Sequence, residues 1–254
     1  MHVTDEDGVR RIVFDRPEVR NAFTADVARE LAEALDGLDP AALDAVVITG
    51  EGEAFSAGGD IEAMAAREET AGEAHDRVRE TLGAVAEGIL TAPLPVVARV
   101  NGDAVGAGLS VVAAADIAYA GESARFAASF INVGLVPDAG ATVTLPRLVG
   151  LRTAKELAFT GRLVDAAEAD DLGLVTETVP DEALDERVAE TLDTLRKRPT
   201  ENIALAKRAI HDNLGRPWRD GLEREAYAQA VAYGTDAHEE GVAAFLEGRH
   251  PDFD

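Results

Sequence analysis

Asn101-Gly102-Asp103-Ala104-Val105-Gly106-Ala107-Gly108-Leu109-Ser110-Val111-Val112-Ala113-Ala114-Ala115-Asp116 is the stretch on which the reading of this chain turns. It follows Leu94-Pro95-Val96-Val97-Ala98-Arg99-Val100, a short apolar and β-branched run opened by proline, which predicts a buried strand. Past Gly102, Gly106 and Gly108, the residues Leu109, Val111, Val112 and Ala113 to Ala115 predict a buried helix. Glycines let a backbone turn sharply and admit a ligand to main-chain N–H groups with no Cβ in the way. The first helical turn leaves N–H groups unpartnered and partly positive, so an oxyanion or phosphate is stabilised there. A plain tight turn packing a helix on a sheet would use the same residues, and this stretch alone leaves both readings open. Its spacing matches neither G-x-G-x-x-G nor a Walker P-loop, so neither nucleotide fingerprint applies.

Ala54-Phe55-Ser56-Ala57-Gly58-Gly59-Asp60-Ile61 repeats the arrangement, following apolar Ala45-Val46-Val47-Ile48-Thr49 and preceding a helical pattern. Two glycine turns after two strands can each supply one N–H to the same point, which is what an oxyanion hole requires. Further blocks accompany them: Asp15-Arg16-Pro17-Glu18-Val19-Arg20-Asn21-Ala22-Phe23, Phe126, Gly134-Leu135-Val136-Pro137-Asp138-Ala139-Gly140, Leu145-Pro146-Arg147-Leu148-Val149-Gly150 and Phe245-Leu246-Glu247-Gly248-Arg249. In this order they resemble the crotonase (enoyl-CoA hydratase/isomerase) superfamily along nearly the whole chain. Their order is specific for the superfamily, not for one reaction within it. The resemblance implies an α/β fold with a ββα spiral core over residues 1–195, which holds an acyl-CoA site. It also implies a C-terminal helical region over 196–254 that builds a homotrimer or a dimer of trimers. The partner it implies is an acyl-CoA thioester, with CoA carried as part of the substrate and no separate cofactor.

Composition sets independent bounds. A chain of 254 residues with 46% hydrophobic content can bury the core of one large domain. With no cysteine, disulfides and thiolate metal sites are excluded, and His2, His75, His211, His238 and His250 show no metal-ligand spacing. No metal is expected. No signal peptide, membrane-spanning run or lipidation motif is visible, so the expected location is cytoplasmic. Forty-eight acidic against 24 basic residues give a formal charge of −24, and Lys155, Lys197 and Lys207 are the only lysines. Such a surface disfavours nucleic acid. Hydrophobic periodicity argues against disorder, leaving a folded protein suited to concentrated salt, where self-repulsion is screened within about 3 Å at 1 M.

In chain order, Val3 to Thr4 and Val9 to Phe14 predict a hairpin across Asp5-Glu6-Asp7-Gly8. Thr24 can cap a helix whose apolar positions Val27, Leu31, Leu35 and Leu38 recur at helical spacing. Residues 61–89 read as helical with an interruption near Thr70-Ala71-Gly72, and Ile117 to Ala120 as a strand. Helical segments follow from Ala139 to Asp171, broken at Gly150 and Gly161, with Leu163 to Ala169 as a short helix before a strand at Leu174 to Val179. Four more helices are predicted beyond Pro180, and no sequence repeat is visible.

The resemblance assigns the chemistry. It implies that the two oxyanion-hole amides are those of Gly59 and Ala107, where only the backbone acts and small side chains suffice. Hydratases of the family use two glutamates, whose positions match Ser110 and Phe130 here, so the two-glutamate hydration mechanism lacks its carboxylates. Asp138 is the acid that remains, and it matches the single aspartate of a subset of the family that includes epoxyphenylacetyl-CoA isomerases and a chlorobenzoyl-CoA dehalogenase. Gly83 stands where the dehalogenase histidine would be. A helix cap is the competing role for Asp138, and the two roles demand opposite pKa shifts. The expected reaction is isomerisation of a 3-enoyl-CoA to a 2-enoyl-CoA with Asp138 shuttling the proton. The alternatives are a hydratase with non-standard water activation and an inactive acyl-CoA binder. Arg20, Ala22, Ala57, Phe130, Ser110 and Arg249 complete the implied substrate-binding set, with Arg20 and Arg249 near the nucleotide and phosphates. Asp60 and Asp116 are expected to be structural.

Overall fold

A computed structural model describes residues 1–253. Strands β1 (His2–Glu6) and β2 (Val9–Phe14) form an antiparallel hairpin turned on Asp7-Gly8, both left-handed at φ +50° and +73°. Thr24 accepts a hydrogen bond from the Val27 amide at 3.3 Å and caps α1 (Ala25–Leu35), which buries Ala28, Leu31 and Leu35. One unit then recurs. It runs first as β3 (Ala45–Gly50), β4 (Ala54–Ser56) and the broken helical stretch α2 (Ile61–Ala65), α3 (Ala71–Val78) and α4 (Ala84–Thr91). It runs again as β5 (Val96–Val100), β6 (Asp103–Val105) and α5 (Ala107–Ala114), and a third time as β7 (Ile117–Gly121), β8 (Arg125–Ala127) and α6 (Ala141–Leu148). After α7 (Gly150–Thr160) come β9 (Val164–Asp165), α8 (Ala166–Asp171) and β10 (Glu177–Val179), and the chain closes with α9 (Leu184–Leu195), α10 (Thr200–Asn213), α11 (Trp218–Ala232) and α12 (Asp236–Glu247).

The first strand of each unit joins a six-stranded sheet ordered β1-β2-β3-β5-β7-β10, and the second joins a four-stranded sheet ordered β4-β6-β8-β9. Successive ββα units therefore climb as a spiral, with β3, β5 and β7 parallel in one wall and β4, β6 and β8 parallel in the other. Both faces of the large sheet are covered. Val46, Ile48, Val96, Ala98 and Val100 meet the main core, while Val9, Val47, Val97 and Tyr119 meet Leu184, Val188 and Leu192 of α9. Double burial is why these strands read as continuous apolar runs rather than alternating ones. Among the described residues no helix is long and apolar enough to cross a membrane.

Several expectations are corrected. The turn between the strand at 94–100 and the helix contains β6, Ala54–Ser56 is a strand rather than part of a turn, and the run 163–169 divides into β9 and α8. These strands are two or three residues long and are held by partners 40 or more positions away in some pairs, such as Ala54 with Asp103. Local periodicity carries no trace of such pairing. The strand expected at 174–179 occupies only Glu177–Val179. The interruption near Thr70 is a capping box, in which Thr70 and Glu73 satisfy each other's amides and restart the helix as α3.

Candidate active site

Two glycines decide how closely the first two ββα units approach. Gly58 sits at φ +88°, and a Cβ there would stand 2.6 Å from the Val105 carbonyl oxygen and 3.4 Å from the Ala107 nitrogen. A Cβ on Gly108 would stand 2.5 Å from the Ser56 carbonyl oxygen, so α5 begins directly against β4. The two turns are thus in contact. Ser56 braces them from below, donating from its hydroxyl to the Asn21 carbonyl (2.8 Å) and accepting from the Gly58 amide (3.2 Å).

The amides of Gly59 and Ala107 remain open for local reasons. Phe23 donates to the Gly58 carbonyl (2.7 Å) and accepts from the Asp60 amide (2.9 Å), a parallel bridge centred on Gly59. In that pattern the N–H of Gly59 points away from Phe23. Ala107 is the first residue of α5, so its N–H has no acceptor inside the helix. Among the described residues neither amide has a protein acceptor. Asp60 holds the turn by accepting from the Ala63 amide (3.0 Å) and pairing with Arg16 (3.2 Å), contacts that lower its pKa in that order of size. Asp116 likewise accepts from the Val96 amide and from Lys207, both structural contacts.

Gly59 opens on a cavity of about 630 Å³ whose wall also includes Phe23, Met64, Leu82, Leu135 and Asp138. Burial pushes the Asp138 carboxyl up to about 6, against the opposing pull of Arg77 and of its own backbone amide. Its Oδ1 is buried with no hydrogen-bond partner. The side-chain capping role is not the one it plays, because α6 is preceded by Gly140 at φ +81° with no side-chain cap, and Asp138 serves that end through its carbonyl, which accepts from Ala141 at 3.0 Å. Ala139 beside it is held at φ +48°, a strained value for a residue with a Cβ. The carboxyl is therefore set by a turn that local preferences alone would not choose. The other carboxylate in the wall, Glu69, is bound to Arg77 through two bonds of 2.9 and 2.6 Å, which hold its pKa low.

The remaining candidates divide into three places. Arg20, Ala22 and Ala57 cluster behind the turns, where the Ala57 amide donates to the Arg20 carbonyl (2.8 Å), while the Arg20 side chain pairs with Asp103 (2.6 Å), which also holds Arg125. Ser110 and Phe130 are buried and do not line the cavity, and the Ser110 hydroxyl donates to the Gly106 carbonyl one helical turn back. Arg249 is bound by Glu240 and Glu247 at the end of α12, away from the cavity wall. Gly58, Met64, Glu69 and Arg77 were not singled out by the sequence as site residues. Only the glycine pair Gly58-Gly59 carried a local signal, and the other three sit in an acidic helical stretch with nothing to mark them.

Comparison with known proteins converges on one family. A family model described as enoyl-CoA hydratase/isomerase matches residues 4–254. A Rhodobacter capsulatus protein named as a probable enoyl-CoA hydratase is 38% identical, covering 97% of this chain and 95% of its own. The 1,2-epoxyphenylacetyl-CoA isomerase of Escherichia coli is 32% identical, covering 98% and 95%. Among solved structures, enoyl-CoA hydratase of Mycobacterium smegmatis superposes with a TM-score of 0.93 at 32% identity, covering 99% of this chain and 98% of that one.

Proposed function

This chain belongs to the enoyl-CoA hydratase/isomerase family, and from that premise we propose that it isomerises 3-enoyl-CoA thioesters to 2-enoyl-CoA thioesters with Asp138 as the proton carrier. The observation that carries the reading is the half-buried Asp138, whose Oδ1 is shut off from solvent without a hydrogen-bond partner, in the wall of the same cavity as Gly59. Asp138 takes a proton from the carbon α to the thioester, and the electron pair moves onto the thioester oxygen. That oxygen is stabilised by the Gly59 and Ala107 amides, donors of the kind whose loss costs about 10²–10³ in rate. The double bond then shifts from C3–C4 to C2–C3 as Asp138 returns the proton to C4. No water is consumed, which suits a site lacking the paired glutamates of a hydratase. A base with a pKa of about 6 is well matched to neutral pH, being ionised yet basic enough to remove the proton.

Arg20 and its neighbours form the entrance for the nucleotide in this reading, and the functional unit is a homotrimer or a dimer of trimers working in concentrated salt. The test offers 3-enoyl-CoA and crotonyl-CoA to the wild type and to Asp138→Asn in molar salt. The wild type is expected to isomerise the first, and Asp138→Asn to lose about 10²–10⁴ of that rate. Rapid hydration of crotonyl-CoA that survives in Asp138→Asn would make the protein a hydratase. Tight binding of both esters without turnover would make it an acyl-CoA binder.

A further inference from the structure

We propose that Glu69 and Arg77 act on Asp138 as a paired positioning device, in which Glu69 orients the Arg77 guanidinium and Arg77 holds the carboxylate ready as a base. The inference rests on the reading of Asp138 as the proton carrier. Glu69 lies in the segment between α2 and α3, one residue before the Thr70 cap, and Arg77 lies in the last turn of α3. They are joined by a two-bond fork at 2.9 and 2.6 Å, which fixes the plane of the guanidinium as well as its place. The capping box at Thr70 and Glu73 pins the backbone between them. Both side chains line the cavity that Asp138 lines, and each is only about a quarter exposed, at 24% for Glu69 and 23% for Arg77.

The pairing resolves a conflict in what the base needs. A carboxylate taken out of water must be offset by positive charge, or it remains protonated. A guanidinium bonded directly to it would hold it ionised but too weak a base to take a proton from carbon. Arg77, already bound by Glu69, supplies field without capture. Arg77 and Asp138 act on each other electrostatically, yet Oδ1 of Asp138 accepts no hydrogen bond. The charged groups lining the cavity are Arg67, Glu69, Arg77 and Asp138, and Arg67 acts on Glu69. Glu69 is therefore a positioning residue, as is Arg77.

The test follows the Asp138 carboxyl by ¹³C NMR in aspartate-labelled full-length protein, with Asp138→Asn identifying the signal, alongside the pH profile of kcat/KM for 3-enoyl-CoA. Glu69→Gln removes a negative charge and frees Arg77, so the titration is expected to fall by about one pH unit. Arg77→Gln is expected to raise it by about as much, and Arg77→Lys to restore a value near the wild type. The acidic limb of the rate profile is expected to move in the same directions. A carboxyl titration that stays put in both variants, or shifts the same way in both, overturns the device. Opposite shifts in the titration with an unmoved rate limb uphold the device and overturn Asp138 as the base. Circular dichroism and two variants on different segments guard against a change caused by misfolding.

Discussion

A carboxyl group whose burial raises its pKa works against the stability of the fold at neutral pH. Asp138 titrates at about 6 when folded and near 3.8 when unfolded, so the folded state binds more protons between those values and stability falls as pH rises through them. Asp138→Asn removes that cost. It is expected to stabilise the protein at pH 7 by about 1 kcal/mol, after discounting for solvent in the cavity, while lowering turnover by about 10²–10⁴. Urea denaturation at a series of pH values checks this, since the gain must shrink to nothing below about pH 4. In the active protein, kcat/KM is expected to rise with pH through about 6 and then level. Gly59 gives a complementary case. A Cβ there would fall 2.1 Å from the Met64 methyl, the far end of a flexible side chain, so Gly59→Ala displaces Met64 rather than backbone. Because Met64 lines the cavity, the substitution is expected to cost about tenfold or more in kcat/KM with little change in Tm, measured by kinetics and thermal melts. Asp138 and Gly59 were legible as residues because their motifs are local. Glu69 and Arg77 were not, because what links them to Asp138 is a shared cavity wall some 60 positions away along the chain.

Among the elements, α10 shows how a single polar contact can tie one region to another. Lys207 is buried, and its three ammonium protons go to the Ile89 carbonyl (2.7 Å), the Leu94 carbonyl (3.2 Å) and Asp116 (2.7 Å). Its acceptors come from α4, the segment before β5 and the residue before β7, so one side chain fastens α10 to three parts of the spiral. Burial lowers the Lys207 pKa while Asp116 opposes the shift, so the pair holds only as a pair. Lys207→Met leaves Asp116 without its cation and is expected to cost about 3 kcal/mol, with earlier proteolysis near α10, as read by urea denaturation and limited trypsin digestion. Element boundaries were legible where caps and periodicity mark them, as at Thr24 before α1. The two- and three-residue strands β4, β6, β8 and β9 were not, since each exists only through its neighbour in the small sheet.

For the whole molecule, charge and exposed apolar surface point to working conditions and assembly. A formal −24 with three lysines, one of them buried, leaves a surface of repelling carboxylates. Stability and activity are both expected to rise between dilute buffer and molar KCl as screening shortens, and a protein equally active in dilute buffer would refute that. Trp218, Tyr227, Phe245 and Leu246 are largely exposed on α11 and α12 in the single chain. Sedimentation in molar salt is expected to give a mass of three or six 26.7 kDa chains, and the paired substitution Phe245→Asp, Leu246→Asp to lower it.

By itself the sequence determined the family, the longer strands and helices, and the identity of the two turns and the aspartate, because each is written in short blocks of contiguous residues. Tertiary structure alone decided that the short strands β4, β6, β8 and β9 pair into a second wall of the spiral, that Gly58 brings one turn against the other, and that Asp138 leaves α6 uncapped to face a cavity. It also decided that Glu69 holds Arg77 there. Burial and distance are properties of what the chain brings together, and no local pattern of residue types encodes them.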